Sequence, residues 1–151
     1  MAQFNVFGPI DAVLGGPLVE GVLVVEALLF ALVVANFVTR RIAYGRHRRQ
    51  AEDGPEAVAR WPLHELLNVA LVLGSFYYLT IAHHAGLILA TLVMGLFITD
   101  FFEFEARKVE ARRDVPLDRP KGAVFASVLV LLYAGYQTLF FLIEPLWASL
   151  I

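Results

Sequence analysis

Glu26 is the residue best placed for chemistry, because it is a carboxylate set inside the long apolar run from Leu18 to Val38. A charge near the centre of a bilayer costs roughly 2.5–3.5 kcal/mol by insertion scales, so such a group is protonated, hydrated or held by a partner. Its expected depth is near the bilayer centre or in the outer half. There it would meet a proton, a cation or a ligand, or would act as a protonated acid hydrogen-bonded between helices. A loose polar set shares that half. Tyr133, Gln137 and Glu144 recur at i, i+4 and i+11, close to one face of a helix. Tyr77 and His84 lie seven apart, with Thr80 and His83 nearby, and Glu20 precedes Glu26. Together they would line an outward-facing polar cavity. The plainer alternative places Glu20, His83, His84 and Glu144 at the membrane surface, where polar helix ends cost little.

His83 and His84 raise the question of a metal or haem. Neighbouring residues on a helix point about 100° apart, so they do not face one ion as an i, i+4 pair does. A turn would have to bring them together, with Glu20 or Glu144 completing the set. No zinc-ligand spacing is present, and the absence of cysteine excludes thiolate sites and disulfides. There is no H-E-x-x-H, no glycine-rich phosphate loop and no nucleophile–base arrangement. The expectation is therefore a non-enzyme, and no particular cofactor is implied.

The opposite pole carries His64, Glu65, Asn68 and Asp100 just inside the expected membrane boundary. Asp100 and Glu103 are expected to pair with Arg40 or Arg41 and lock the first long helix to the third. Glu103 with Arg107, and Glu105 with Lys108, sit at helical pairing distances of i+4 and i+3. The 12 basic residues fall into two segments, Arg40 to Arg60 and Arg107 to Lys121. Loops rich in Lys and Arg are retained on the cytoplasmic side, so this pattern reads as topology and not as a nucleic-acid interface. Arg46-His47-Arg48-Arg49 would also face anionic headgroups, worth about 1 kcal/mol per basic residue near the surface.

The elements that position these residues follow from apolar run length. The chain has 151 residues, a one-domain length, and is 59% apolar, against roughly 45–50% in soluble domains. Its mean hydropathy is +0.69. Four stretches reach the roughly 20 apolar residues a spanning helix needs: about 18–38, 63–82, 85–113 with a cytoplasmic extension, and 122–143. The second and third are joined so tightly around His83 and His84 that they must be antiparallel. With the basic loops inside, both termini lie outside. The fold class is thus all-α, a four-transmembrane-helix bundle in the plasma membrane. Trp61 and Trp147 sit where aromatic anchors are expected. Pro9 to Leu14 suits one or two interfacial turns, and the loop from Thr39 to Arg60 reads as flexible. Glu144-Pro145 is expected to close the last helix. Small residues pack helices in lipid: Thr91, Gly95 and Thr99 form one stripe, Ala134 and Thr138 another, and Gly74-Ser75 interrupts the second helix. These ridges serve either packing within the bundle or packing between copies.

The stretch from Phe101-Phe102-Glu103-Phe104-Glu105 to Arg112-Arg113, followed by Pro116-Leu117-Asp118-Arg119-Pro120-Lys121-Gly122-Ala123, carries a likeness, as do Phe76-Tyr77-Tyr78-Leu79-Thr80 and His83-His84. It resembles an uncharacterised four-helix integral membrane protein family of halophilic archaea. The resemblance implies an archaeal plasma membrane and transfers no activity. Three functions follow as expectations. The first is a non-enzymatic structural or accessory subunit, either of a homo-oligomer or with other membrane subunits. The second is a small ion or proton channel or transporter using Glu26 and the outer polar cavity. The third is a metal or haem protein using His83 and His84.

Overall fold

The computed structural model describes residues 7–19 and 21–151. A short helix, α1 (Gly8–Leu14), and an antiparallel hairpin, β1 (Pro17–Val19) with β2 (Val22–Leu23), lead into four long helices. These are α2 (Val24–Glu52), α3 (Pro62–Ile81), α4 (His83–Arg112) and α5 (Lys121–Leu150). Each packs on the next, and α5 closes back on α2, giving an up-and-down bundle. The helices α3, α4 and α5 are each long and apolar enough to cross a bilayer. Large apolar side chains such as Leu66, Leu73, Phe102, Phe125 and Leu132 point away from the bundle. That surface is the inverse of a soluble domain's, where contiguous apolar faces are rare.

The first long helix departs from the expected 18–38. It starts at Val24 and continues to Glu52. Gly15-Gly16-Pro17 breaks the chain upstream, and Gly21, at φ +79°, supplies the left-handed backbone that turns β1 into β2. Backbone pairing in the hairpin, extended by Val24 N–H to the Gly16 carbonyl at 2.9 Å, satisfies main-chain groups that a continuous helix would have paired within itself. The apolar part of α2 is therefore only Val24 to Val38, about 22 Å long. At its other end the expected flexible loop is mostly helix. Val25, Leu29, Val33, Asn36, Arg40, Ala43 and His47 form one continuous buried stripe at spacings of three and four. No proline interrupts it before the 3-10 turn at Pro55–Ala57.

Two other boundaries shift. His83 and His84, expected in the turn, are the exposed first residues of α4, and Ala82 alone separates α3 from α4. Gly86 permits that approach: a Cβ there would lie 2.3 Å from Leu79 Cα. At the far end, α5 does not stop at Glu144-Pro145 but runs through Pro145 to Leu150. Proline removes one N–H donor, and the exposed turns around it let the helix continue.

The core is apolar in its middle. Leu29, Val33, Leu71, Val93, Leu96 and Val130 are all buried to 2% exposure or less. Ala123 and Ala134 bring α5 close to its neighbours. Polar contacts gather above and below this plug.

Candidate functional site: two buried polar layers

The larger layer lies at the basic end and draws on all four long helices. Arg40 of α2 is its hub. Its Nε donates to Asp100 Oδ1 of α4 at 3.1 Å, Nη2 to Asn36 Oδ1 at 2.8 Å, and Nη1 to Ser127 Oγ of α5. From α3, Asn68 accepts from Asn36 Nδ2 at 2.7 Å and donates to Asp100 Oδ2 at 2.9 Å. His64, one turn before Asn68, places Nδ1 2.8 Å from Thr39 Oγ1. Its Nε2 lies 3.3 Å from Asp100 Oδ2, at ion-pair distance but outside hydrogen-bond alignment. Arg40 and Asp100 are 2% and 3% exposed, so water does little to screen them. A buried charge is tolerable only with its hydrogen-bonding capacity met. Here all three guanidinium nitrogens and both carboxylate oxygens have partners.

Of the expected ion pairs, Arg40–Asp100 is present. Arg41 is not part of the layer: it is exposed and makes no ion pair among the described residues. The expected Glu103–Arg107 pair is absent too. Glu103 Oε1 instead accepts the N–H groups of Gly122 at 2.7 Å and Ala123 at 3.2 Å. A carboxylate from α4 thereby caps the N-terminus of α5, whose own N-cap residue is Pro120. The cap outcompetes a local pair because free helix N–H groups are strong donors with no intrahelical alternative.

Beyond this layer the extensions of α2 and α4 seal a small core of their own. His47 is buried with its ring 5.0 Å from Phe104, edge to face. Neither ring nitrogen has a well-formed hydrogen bond. Burial, and then the Arg107 guanidinium, push the imidazole down to about 4. Arg107 is itself buried, which lowers its own pKa. Arg60 clamps the outside, pairing with Glu65 at 3.4 Å and Glu105 at 3.1 Å while lying over the rings of Phe101 and Phe104. Lys108 reaches Glu105 at 3.8 Å.

The smaller layer holds Glu26. It lies not near mid-helix but at the third position of α2, because the helix starts only at Val24, after the β1–β2 hairpin. Glu26 Oε2 accepts the Leu23 N–H at 2.8 Å and so caps its own helix. Oε1 accepts the Tyr78 hydroxyl at 2.6 Å. Thr138 of α5 donates to the Glu26 carbonyl at 3.2 Å. Glu26 and Asn36 are ten residues apart on α2, about 15 Å, with the apolar plug between them.

The remaining outer polar residues among those described do not converge on Glu26. Gln137 Nε2 donates to the Tyr133 hydroxyl at 3.2 Å. Gln137 and Glu144 line a cleft of about 450 Å³ between α5 and the β1–β2 turn, and Glu26 is not part of its wall. Tyr77 donates to Asp11 of α1. His83 and His84 face outward, and Glu20 lies outside the described residues. Among the described residues no group of three or more His, Cys, Asp or Glu is arranged to hold a metal ion. The two small-residue ridges separate: Ala134 and Thr138 are buried inside, whereas Thr91 and Gly95 face out. Thr91 bonds back to the Leu87 carbonyl and Thr99 to that of Gly95, so the α4 stripe keeps its polar atoms within its own helix.

Sequence reasoning missed Asn36, Thr39 and Ser127 as members of the basic-end layer. A signal was present: Asn36–Arg40 and His64–Asn68 are polar pairs at i, i+4, each presenting one face from a span expected to be apolar. No curated protein and no solved structure matches this chain. A family model described as a domain of unknown function, DUF7313, matches residues 2–151, and the chain belongs to that family.

Proposed function

We propose that the protein is a multi-pass integral membrane protein of the plasma membrane, with four spans, both termini outside and the basic loops inside. In this reading it acts as a non-enzymatic structural or accessory subunit, in a homo-oligomer or beside other membrane subunits. The observation that carries it is the closed Arg40–Asp100 layer. Its charges are consumed in tying four helices together, which suits a rigid scaffold. The transport alternative is weakened by the same geometry. Glu26 is engaged by Leu23 and Tyr78, and between the two layers lie mainly apolar side chains, with Ser75 bonded back to the Val72 carbonyl of its own helix. The outward stripe of Thr91 and Gly95 offers α4 a close-packing face for a second transmembrane helix.

The test is the purified particle in uncharged detergent, sized by light scattering. A defined oligomer or co-purifying membrane subunit that is lost in Gly95→Leu supports the reading. Because a Cβ at Gly95 meets nothing within 4 Å, that variant should fold normally. A strictly monomeric, partner-free particle removes it. Proton or cation flux in proteoliposomes, abolished by Glu26→Gln, would restore the transport reading instead.

A further inference from the structure

One face of α2 descends from the apolar zone into the basic end as Phe37, Arg41, Tyr44, Gly45 and Arg48, spaced at i, i+4, i+7, i+8 and i+11. Opposite it stand Arg119, Pro120 and Val124 at the start of α5, and the two walls enclose a cleft of about 500 Å³. Arg40 touches this cleft, but its guanidinium is committed to the buried layer. Arg41, Arg48 and Arg119 are different: none makes an ion pair among the described residues. The nearby Asp118 is taken by Lys121 at 3.4 Å and by the Arg119 backbone N–H. Three exposed guanidinium groups with no carboxylate partner among the described residues thus border one cleft, Arg48 lying 5.8 Å from the centre of the Tyr44 ring. Guanidinium groups match phosphate oxygens in geometry as well as charge.

We propose that this cleft binds the phosphate of an anionic phospholipid, held by Arg41, Arg48 and Arg119, with Phe37 and Val124 against the start of its acyl chains. The assignment to lipid, not free phosphate, rests on the membrane-spanning reading and on the order along α2. Phe37 and Val124 are apolar and over a third exposed. They stand on the side nearer the apolar span, and Arg48 lies about 10.5 Å beyond Arg41 along the helix. A headgroup joined to apolar chains presents its charge and its hydrocarbon in that order. Gly45 leaves the floor open, since a Cβ there would meet nothing within 4 Å.

Native mass spectrometry of the protein in uncharged detergent tests this with dimyristoyl phosphatidylglycerol, dimyristoyl phosphatidylcholine and inorganic phosphate as separate probes. Saturable retention of one phosphatidylglycerol per chain is expected, with much weaker retention of phosphatidylcholine. Replacing Arg41, Arg48 and Arg119 together by Gln should weaken retention about a hundredfold, from three surface-type charge contacts. Gly45→Leu keeps every charge but fills the cleft, and should also lose the lipid; circular dichroism confirms that both variants remain folded. A control replacing Arg49, Arg112 and Arg113 by Gln removes equal charge elsewhere and should retain binding. The proposal is overturned if the control loses binding equally, if the triple and Gly45→Leu variants keep it, or if inorganic phosphate binds as tightly as the lipid. Failure of the membrane-spanning reading would look different: the protein would be monodisperse without detergent.

Discussion

The two polar layers each settle a carboxylate, Asp100 buried and Glu26 half-buried, and they do so with different materials. At the basic end, Asp100 is met by a guanidinium, an amide and an imidazole from α2 and α3. At the other end, Glu26 is met by the backbone N–H of Leu23, the residue just before its helix, and by a phenolic hydroxyl. The supply of cations explains the contrast. No Lys or Arg precedes Arg40, follows Lys121 or falls between Arg60 and Arg107. A carboxylate far from those segments has to use neutral donors. The first arrangement couples four helices through Arg40 and Asp100 together, with Asn68 bringing in α3, whereas the second mainly finishes the start of α2 and links it to α3. Charge at the basic end therefore specifies how the helices sit together, and polarity at the other end specifies where one of them begins.

The largest expected effect tests this division directly. Asp100→Ala leaves Arg40 buried without its counter-charge, and should cost about 3–5 kcal/mol in reversible unfolding from mixed micelles. Combining Arg40→Met with Asp100→Leu should recover most of that loss, since a buried pair replaced by well-packed apolar groups is often neutral. If the double variant is as unstable as the single one, the layer contributes through more than paired charge. The second effect is a pH dependence confined to the basic end. His47 faces Arg107, His64 and Asp100, and in the folded protein it titrates at about 4 against 6.5 for the free side chain. Between those values the unfolded chain binds a proton that the folded chain refuses. Stability present above pH 6.5 is therefore lost as pH falls towards 4. In His47→Leu the unfolding midpoint should be flatter across that window; an unchanged slope would assign the dependence to another group.

Gly86→Ala comes third. The added Cβ meets the Leu79 backbone, which is not a flexible neighbour, so the α3–α4 hairpin must open. A loss of about 1–3 kcal/mol is expected from overpacking, read as a lower unfolding midpoint. The smallest effects belong to the Glu26 layer. Tyr78→Phe and Glu26→Gln should each cost about 1 kcal/mol, the usual net value of a hydrogen bond. Should Glu26→Gln destabilise the protein as much as Asp100→Ala, the contrast between the two layers would collapse.

Particular residues show where sequence reading reached and where it stopped. The apolar spans of α3, α4 and α5 are visible because hydrophobicity adds up along a contiguous stretch. Arg40 with Asp100 could be named in advance because both sit at the ends of apolar runs, where a charge has few other recourses. Glu103 could not be assigned correctly: its competing partners, Arg107 on its own helix and the free N–H groups of α5, differ only once α5 is docked. The start of α2 was misplaced for a related reason. Leu18, Val19, Val22 and Leu23 are as apolar as the helix that follows, and the pairing of β1 with β2 about Gly21 takes them out of the helix.

By itself the sequence determined that this is a helical chain with long apolar spans, and that its basic residues gather in two short segments between them. Both properties are local sums over neighbouring residues, and no partner is needed to evaluate them. The tertiary structure alone decided which polar groups meet. Arg40 finds Asp100 across 60 positions and Ser127 across 87, so those distances carry no trace in the local pattern. It also decided that Glu26 caps a helix, that Thr91 and Gly95 face outward while Ala134 faces in, and that three arginines from α2 and the α5 entry share one cleft. Each outcome depends on the rotation and depth of one helix against another, which side-chain packing and buried hydrogen bonds set together.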